Sequence, residues 1–582
     1  MNISFVCRQF VTLARVLIEH MGSDPVFFGV QVSRRLSGSV STAVGRGLNI
    51  VPASVARTAG KWLTGDTAGA EADLQNRLAA GKTDKVSSRL YSEFALSLRM
   101  LHEAETFAEH VRNAKTARSL RARIAWQKGD MSGAVMISER GRLHSRLKSE
   151  QKLFERNWLP APPAQIPRFR APKTNVMHLL TNSLPHTQSG YTLRSHYVLK
   201  AVQSHGLQVL AGTRTGYPVS VGGFSWRDRE TVDGVTYLRD IPWDQGRTAT
   251  RRVEKQAAFA AAVAVASRAE VLHTTTHFVN GLATAAAAKK LGLPWVYEVR
   301  GALEETWAAS ATSPTERLLA RSSERFEFFR ARETEVARRA DRVVTLGATM
   351  ARELVKRGVP EERILVAPNA VSEDLLKHDI HRPTDVVRRE KGLPENGVWV
   401  GTAASIVGYE GLDVLIDAVA EARREGADLR LLIVGDGVEL PMLKQRAASL
   451  GEAVVFTGRL PQRMAHELIT ALDIFAVPRR NDPVCSLVTP LKPVEAAGLG
   501  RPVVLSDLPA LTEALPSRAR SAITAGSVPR WAEELTRLAL DADARLEMGQ
   551  AGRTFVKEHR TWDSVGHAYT KMYSELGVGG SR

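Results

Sequence analysis

Between residues 174 and 524 the chain repeats one pattern: a short, almost unbroken apolar run, then a stretch long enough for a helix. The runs fall into two series. The first comprises Asn175–Leu180, Gln208–Ala211, Val235–Leu238, Val271–His273, Trp295–Val299 and Arg342–Leu346. The second comprises Val398–Thr402, Leu429–Val434, Ala453–Thr457, Ile474–Val477, Pro502–Leu505 and Ser521–Thr524. A strand apolar on both sides must be covered on both faces, and strand–helix alternation supplies that cover through parallel crossovers. Two series predict two doubly wound α/β domains, which bind ligands beyond the carboxyl ends of their strands. A linker around Asp379–Leu393 is expected between them.

The first 158 residues read differently. Leucine, alanine, arginine and glutamate dominate, and apolar residues recur at helical spacing, as in Leu96, Leu98, Met100, Leu101 and Phe107. Trp62-Leu-Thr-Gly65-Asp66-Thr-Ala-Gly69-Ala70 returns 64 residues later as Trp126-Gln-Lys-Gly129-Asp130-Met-Ser-Gly133-Ala134. Gly-Asp ends one helix and caps the next. An offset of about two 34-residue units resembles a short tetratricopeptide-like array; a plain helical bundle is the alternative. Five prolines in Leu159–Pro172 then remove backbone donors and fix φ, marking a domain boundary.

Bulk properties narrow the partners. The net charge of +17 favours anionic ones. The two cysteines, Cys7 and Cys485, exclude a disulfide framework and fit a reducing compartment. No uninterrupted apolar stretch reaches the ~18 residues of a spanning helix, and Arg8 and Arg15 interrupt the early run against a secretory signal. The expectation is a cytoplasmic protein. Residues 1–60 carry Arg8, Arg15, Arg34, Arg35, Arg46 and Arg57 among apolar residues. That pattern suits peripheral contact with an anionic inner membrane face or a basic amphipathic helix docked on its own protein. Nucleic acid is not expected, since no aromatic-basic motif accompanies the charge.

Candidate site residues sit where strands end. Leu180 leads through Pro185 and His186 to Ser189-Gly190-Tyr191, just before a helix expected to begin near Leu193, where backbone N–H groups and the helix dipole favour an anion. Leu431–Val434 runs into Gly435-Asp436-Gly437, and Val455–Thr457 into Gly458-Arg459-Leu460-Pro461. Val477-Pro478-Arg479-Arg480 is followed by Thr489-Pro490-Leu491-Lys492 and by Glu495-Ala496-Ala497-Gly498.

Residues 174–576 resemble family 4 retaining glycosyltransferases of the GT-B fold. The matching landmarks, in order, are Ser189-Gly190-Tyr191, Pro368-Asn369-Ala370-Val371, Gly435-Asp436-Gly437, Phe456-Thr457-Gly458-Arg459 and Glu495-Ala496-Ala497-Gly498. The resemblance implies an acceptor domain (174–385), a donor domain (386–560) and a carboxyl-terminal helix (561–582) crossing back to the first. Residues 1–158 and the 159–173 linker precede them. It implies that Glu495 reads the donor ribose, that Arg459 and Leu460 hold the base, and that Gly190 and Tyr191 meet the diphosphate. Thr489, Pro490 and Leu491 would line the sugar, with Gly435 and Gly437 beside the donor.

Two departures stand out. The family commonly has a second glutamate eight positions before the first-named one, where this chain has Leu487. It also places an arginine and a lysine where this chain has Ser405 and Glu410. Lys492, Arg480 and Arg479 are the nearest replacement cations, Lys492 foremost. In Glu298-Val299-Arg300-Gly301, Arg300 is assigned to the leaving diphosphate or an acidic acceptor and Glu298 to the acceptor hydroxyl. His273 and His277, near another strand end, are further candidates. The donor is expected to be UDP- or GDP-linked, the acceptor a glycan or lipid-linked glycan, with no metal or cofactor. The expected role is polysaccharide or glycoconjugate synthesis. Alternatives are a non-catalytic scaffold recruiting a protein partner through its helices, and a nucleotide-sugar epimerase or hydrolase.

Overall fold

The computed structural model describes residues 3–23, 45, 48, 54–64, 66–81, 87–161, 165–311 and 313–579. The apolar runs form two sheets. The first contains β1 (Val176–Leu180), β2 (Val209–Thr213), β3 (Arg229–Val232), β4 (Val235–Leu238), β5 (Val271–Thr275), β6 (Trp295–Val299), β7 (Arg342–Thr345) and β8 (Ile364–Val366). Its order is β3-β4-β2-β1-β5-β6-β7-β8, parallel except for the β3–β4 hairpin. The second contains β9 (Val398–Ala403), β10 (Leu429–Val434), β11 (Val454–Gly458), β12 (Ile474–Val477), β13 (Val503–Ser506) and β14 (Arg520–Ile523), in the order β11-β10-β9-β12-β13-β14, all parallel.

Successive residues of one strand feed opposite cores. Val343 of β7 joins a cluster with Leu179, Leu272 and Tyr297, while Val344 joins Val176, Val271 and Val296 on the other face. That is why these strands read as continuous apolar runs. The sequence did not predict β3 or β8. Burial alternates along β3, at the sheet edge, and β8 is three residues long and at most half-buried, so neither carries an apolar run.

The chain passes into the second unit earlier than expected. Val371 and Leu375 already pack in its core, so residues 379–393 belong to that unit and do not separate the two. The return lies alongside: Val371 N–H donates to the Arg560 carbonyl at 2.9 Å, and Val371 and Thr561 form a parallel bridge. The two crossings are thus hydrogen-bonded to each other. The helix Trp562–Glu575 then buries Trp562, Val565, Tyr569, Met572 and Tyr573 in the first unit, against the helix Gly190–Ser204.

The amino-terminal helices pair in chain order: Ser54–Leu63 with Thr67–Ala79, Ser88–Ser97 with Leu101–Glu109, and Ala114–Lys128 with Met131–Ser138. The repeated motif is a repeated cap. Asp66 accepts from Gly69 N–H at 2.8 Å, and Asp130 accepts from Gly133 N–H at 2.8 Å. A Cβ on either glycine would run into the capping carboxylate. The array docks on the first unit: Arg325 N–H donates to the Gly129 carbonyl at 2.9 Å, and Arg332 Nε to the Leu153 carbonyl at 2.8 Å. The proline-rich segment is anchored as well, with Phe169 edge-on to Phe259 at 5.5 Å. No described helix is long and apolar enough to cross a membrane.

Gly566 sets the approach of the returning helix, since a Cβ there would lie 2.7 Å from the Ala201 carbonyl oxygen. Gly566→Val is expected to push the two helices apart and cost roughly 1–3 kcal/mol, read as a lowered urea midpoint with unchanged slope.

Candidate active site

Each sheet has one point where strand order reverses. In the first it lies between β1 and β5, in the second between β9 and β12. Loops leaving these strands diverge and open a crevice.

On the first side, Ser189 caps the helix Gly190–Ser204, its side chain accepting from Thr192 N–H at 3.4 Å. A Cβ built on Gly190 meets nothing within 4 Å, so the helix amino terminus opens onto free space. Tyr191 is exposed. Its carbonyl accepts from Arg300 Nη1 at 2.9 Å, and its hydroxyl would touch a Cβ on Gly301 at 3.2 Å. Arg300 also donates to Ser195 Oγ at 2.7 Å and to Glu298 Oε2 at 2.7 Å. Its Nε is buried without a hydrogen-bond partner.

Glu298 does not offer itself to an acceptor hydroxyl, contrary to the sequence expectation. It is fully buried, and its other oxygen accepts from Arg194 Nε at 2.8 Å. Burial alone would raise its pKa, but Arg300 and Arg194 hold the carboxyl well below the usual range. Arg194 reaches on to the Ala367 carbonyl at 2.7 Å and the Pro368 carbonyl at 3.1 Å. Glu298 therefore orients two arginines and ties the helix Gly190–Ser204 to the interdomain crossing.

His273 is likewise removed from the crevice. It is fully buried and stacked on His178 with centroids 4.3 Å apart, and its Nδ1 is hydrogen-bonded to the Tyr573 hydroxyl at 2.7 Å. Burial lowers its pKa, keeping the ring neutral. Its role is to seat the returning helix. His277 caps the helix Phe278–Leu291, accepting from Val279 N–H at 3.2 Å, and burial pushes it down to about 4.

On the second side the charges have an unexpected arrangement. Glu410 is buried and accepts from Arg479 Nη2 at 2.9 Å, while Lys492 Nζ lies 3.0 Å from its other oxygen. Burial opposes ionisation, yet Arg479 and Lys492 hold the carboxyl at about 2. Arg479 also donates to the Val488 carbonyl at 3.2 Å. Lys492 keeps about a fifth of its side chain exposed. Glu410 is thus the anchor that brings these two cations together. Arg480 points away, to the Gly408 carbonyl at 3.1 Å and to Asp413 at the surface.

The glycines of Gly435-Asp436-Gly437 serve loop packing. A Cβ on Gly435 or Gly437 would run into the carbonyls of Ala404 and Ile406, so they let the loops after β9 and β10 touch. Glu495 stands in the first turn of the helix Lys492–Gly498. Its Oε1 is 3.1 Å from His466 Nε2 and accepts from Gln462 Nε2 at 3.2 Å. These two partners were not singled out in the sequence; Gln462 and His466, at i and i+4 of one helix, were the available signal. Arg459 is exposed and Leu460 half-buried at the end of β11. Thr489 and Pro490 are buried and Leu491 half-buried.

The two sides meet directly. Asn369 Nδ2 donates to the Thr489 carbonyl at 3.0 Å, Thr489 Oγ1 donates to Glu513 at 2.7 Å, and Glu513 accepts from Thr349 N–H at 2.9 Å. Val488 comes within 4.0 Å of a Cβ on Gly301. The open amino terminus at Gly190, Arg300 and the Arg479–Lys492 pair therefore border one interdomain crevice.

Opposed doubly wound domains joined by a returning helix define the GT-B class. The family described as "Glycosyl transferase 4-like domain" matches residues 189–370, and "Glycosyl transferases group 1" matches residues 396–541. The chain belongs to the family 4 type of GT-B glycosyltransferases, with a helical region added before it. It is 31% identical over 229 residues to a D-inositol 3-phosphate glycosyltransferase of Corynebacterium jeikeium, covering 38% of this chain and 53% of the relative. It is 28% identical over 187 residues to a GDP-mannose-dependent monoacylated alpha-(1-6)-phosphatidylinositol monomannoside mannosyltransferase of Corynebacterium glutamicum, covering 32% and 49%. The chain thus spans about half the length of these curated relatives. Among solved structures, sucrose-phosphate synthase from Thermosynechococcus elongatus aligns with a TM-score of 0.54 at 16% identity, over 70% of this chain and all of that one. Anabaena Alr3699/HepE in complex with UDP aligns with a TM-score of 0.51 at 17% identity, over 69% and 100%. These structural likenesses concern the fold.

Two outcomes test the electrostatics. Glu298→Gln leaves two buried guanidiniums without a counter-charge and is expected to cost about 3–5 kcal/mol in urea unfolding. For Glu410, a carboxyl depressed from 4.5 to about 2 stabilises the fold above the higher value and loses that contribution as pH falls through the lower. Wild type should surrender on the order of 3 kcal/mol from this group between those pH values, whereas Glu410→Gln, less stable at neutral pH, should show a shallower decline in the same window.

Proposed function

We propose that this chain transfers a sugar from a nucleoside diphosphate donor to a hydroxyl acceptor, with retention at the transferred carbon. The observation that carries the reading is the open helix amino terminus at Gly190 facing the same crevice as Arg479 and Lys492. Two sources of positive potential converge there on a space bounded by both domains, the arrangement a diphosphate requires.

Departure of the nucleoside diphosphate breaks the bond between the sugar and a phosphate oxygen and leaves negative charge on that oxygen. Lys492, Arg479 and the N–H groups at Gly190 are placed to stabilise this charge without reorganising. Arg300, fixed by Glu298, adds a further cation from the acceptor side. The new bond forms from the acceptor oxygen to the same face of the sugar, and the acceptor proton passes to the departing phosphate. Such a route needs no carboxylate nucleophile pair of the glycosidase kind. Glu495, presented by His466 and Gln462, is assigned to the ribose hydroxyls, and Arg459 and Leu460 to the base. A UDP- or GDP-linked donor is proposed, since one relative's name specifies GDP-mannose and one structural neighbour holds UDP. The acceptor is proposed to be a glycan or lipid-linked glycan.

Glu410 favours a second reading. It replaces the expected lysine and absorbs charge from Arg479 and Lys492, so the crevice of a non-catalytic scaffold would look similar. A thermal-shift panel of nucleoside diphosphates, followed by mass spectrometry of products from the matching donor, separates the two. Transfer predicts stabilisation by one diphosphate and acceptor-dependent product; the scaffold predicts no product from any donor.

Glu495→Ala is expected to weaken calorimetric affinity for that diphosphate by about tenfold, the loss of one charge-assisted contact, while the urea midpoint stays near wild type. Lys492→Ala should lower the transfer rate more than it lowers donor affinity. Unchanged affinity in Glu495→Ala removes Glu495 from the ribose.

A further inference from the structure

The helix Ile3–Ser23 is mounted backwards. A helix packed on its own protein normally buries its apolar stripe and shows polar residues to water. Here the docking side carries Phe5, Gln9 and Thr12, with Gln9 1% and Thr12 2% exposed. Gln9 makes a two-way contact with Ser225, donating to its carbonyl at 2.5 Å and accepting from its N–H at 2.9 Å. Gln245 Nε2 donates to Thr12 Oγ1 at 2.7 Å. Among the described side chains of the helix, Phe5 is the apolar one that is fully buried, against Val219 and Ile241, while Val6, Val11, Val16 and Leu17 are half-buried. The outward side carries Ile3, Phe10, Leu13 and Ile18, with Phe10 60% and Ile18 65% exposed.

This outward face continues onto the domain. Phe10 lies 5.9 Å from Phe224, and Phe224 lies edge-on to Trp226 at 4.9 Å; Trp226 is itself 63% exposed. Trp226 leads into an open cavity of about 1120 Å³ whose walls include Arg168, Arg170, Arg227 and Arg229, with Val265 among its apolar lining. Among the described residues none of these four guanidiniums is ion-paired; Arg229 donates to the Arg170 carbonyl at 2.9 Å. An apolar ridge therefore runs from the helix to an arginine-lined hollow, with a tryptophan at the junction.

We propose that this ridge and hollow form a docking surface for a bilayer containing anionic phospholipid. Ile3, Phe10, Leu13 and Ile18 would enter the acyl boundary, Trp226 would sit at headgroup level, and the four arginines would meet lipid phosphates. Charge complementarity selects this occupant over a second copy of the chain, because two such arginine hollows repel each other. The inference is independent of the sugar-transfer reading, since the ridge contains none of the residues assigned to the crevice.

The test is co-sedimentation of the full chain with vesicles of phosphatidylcholine alone and of phosphatidylcholine mixed with phosphatidylglycerol. Binding is expected only to the mixed vesicles and should weaken as salt rises. The double variant Phe10→Glu/Ile18→Glu should bind at least about tenfold more weakly. Arg168→Ala/Arg170→Ala/Arg227→Ala, which leaves the helix untouched, should lose the preference for phosphatidylglycerol. Circular dichroism and the urea midpoint of each variant check that the fold survives. Failure of wild type to bind mixed vesicles, or binding unaltered in both folded variants, overturns the proposal. So does concentration-dependent self-association abolished by Phe10→Glu/Ile18→Glu without vesicle binding, which would assign the ridge to a second copy.

Discussion

One buried carboxylate holds the first domain's contribution to the crevice. Glu298 stands between Arg194 and Arg300 with both oxygens engaged and no contact with water. A charge in that position is tolerable only because two guanidiniums replace its hydration. In return it fixes three parts of the molecule. Through Arg194 it holds the Ala367 and Pro368 carbonyls, where the chain leaves the first domain. Through Arg300 it holds the Tyr191 carbonyl at the helix start. Next to it, Tyr573 of the returning helix meets His273. The crevice wall, the outgoing chain and the returning chain are all braced at one point.

The second domain solves a related problem differently. The proposed diphosphate grip needs cations, yet buried cations repel each other and favour losing their charge. Glu410 sits between Arg479 and Lys492 and relieves both, leaving one net positive charge facing the crevice. The departure from the family pattern is thus compensated in space. The acid stands where the resemblance expects a lysine, and Lys492 on the helix opposite is paired with it. Without Glu410, Arg479 and Lys492 would be left side by side with no carboxylate between them.

The added amino-terminal region follows separate rules. Two of its three described hairpins turn on aspartate caps, and the region is fixed to the first domain through backbone contacts at Gly129 and Leu153. The first helix is held by hydrogen bonds that Gln9 and Thr12 accept from Ser225 N–H and Gln245 Nε2, and Ile3, Phe10, Leu13 and Ile18 face outward. Polar side chains give direction to such a joint where apolar packing would not.

Much of this was legible in the amino-acid order. The continuous apolar runs determined two parallel sheets, because a strand buried on both faces has no room for polar alternation. Prolines and the Gly129-Asp130 pair determined where helices stop, because their effects on the backbone are local. Glycines and cations near strand ends drew notice because strand ends are where loops begin, yet Gly435 and Gly437 serve loop packing and Arg480 points to Asp413 at the surface. What sequence could not assign was partnership. Glu298 and His273 look like catalysts at strand ends until the burial and contacts of each side chain are known. Glu410 looks like a lost cation until Arg479 and Lys492, 69 and 82 positions away, are seen against it. The outward face of the first helix is invisible to periodicity, which gives the stripe but not its direction. Local order is written in propensity and spacing; the sign and use of a charge depend on which distant residues the fold brings within hydrogen-bonding reach.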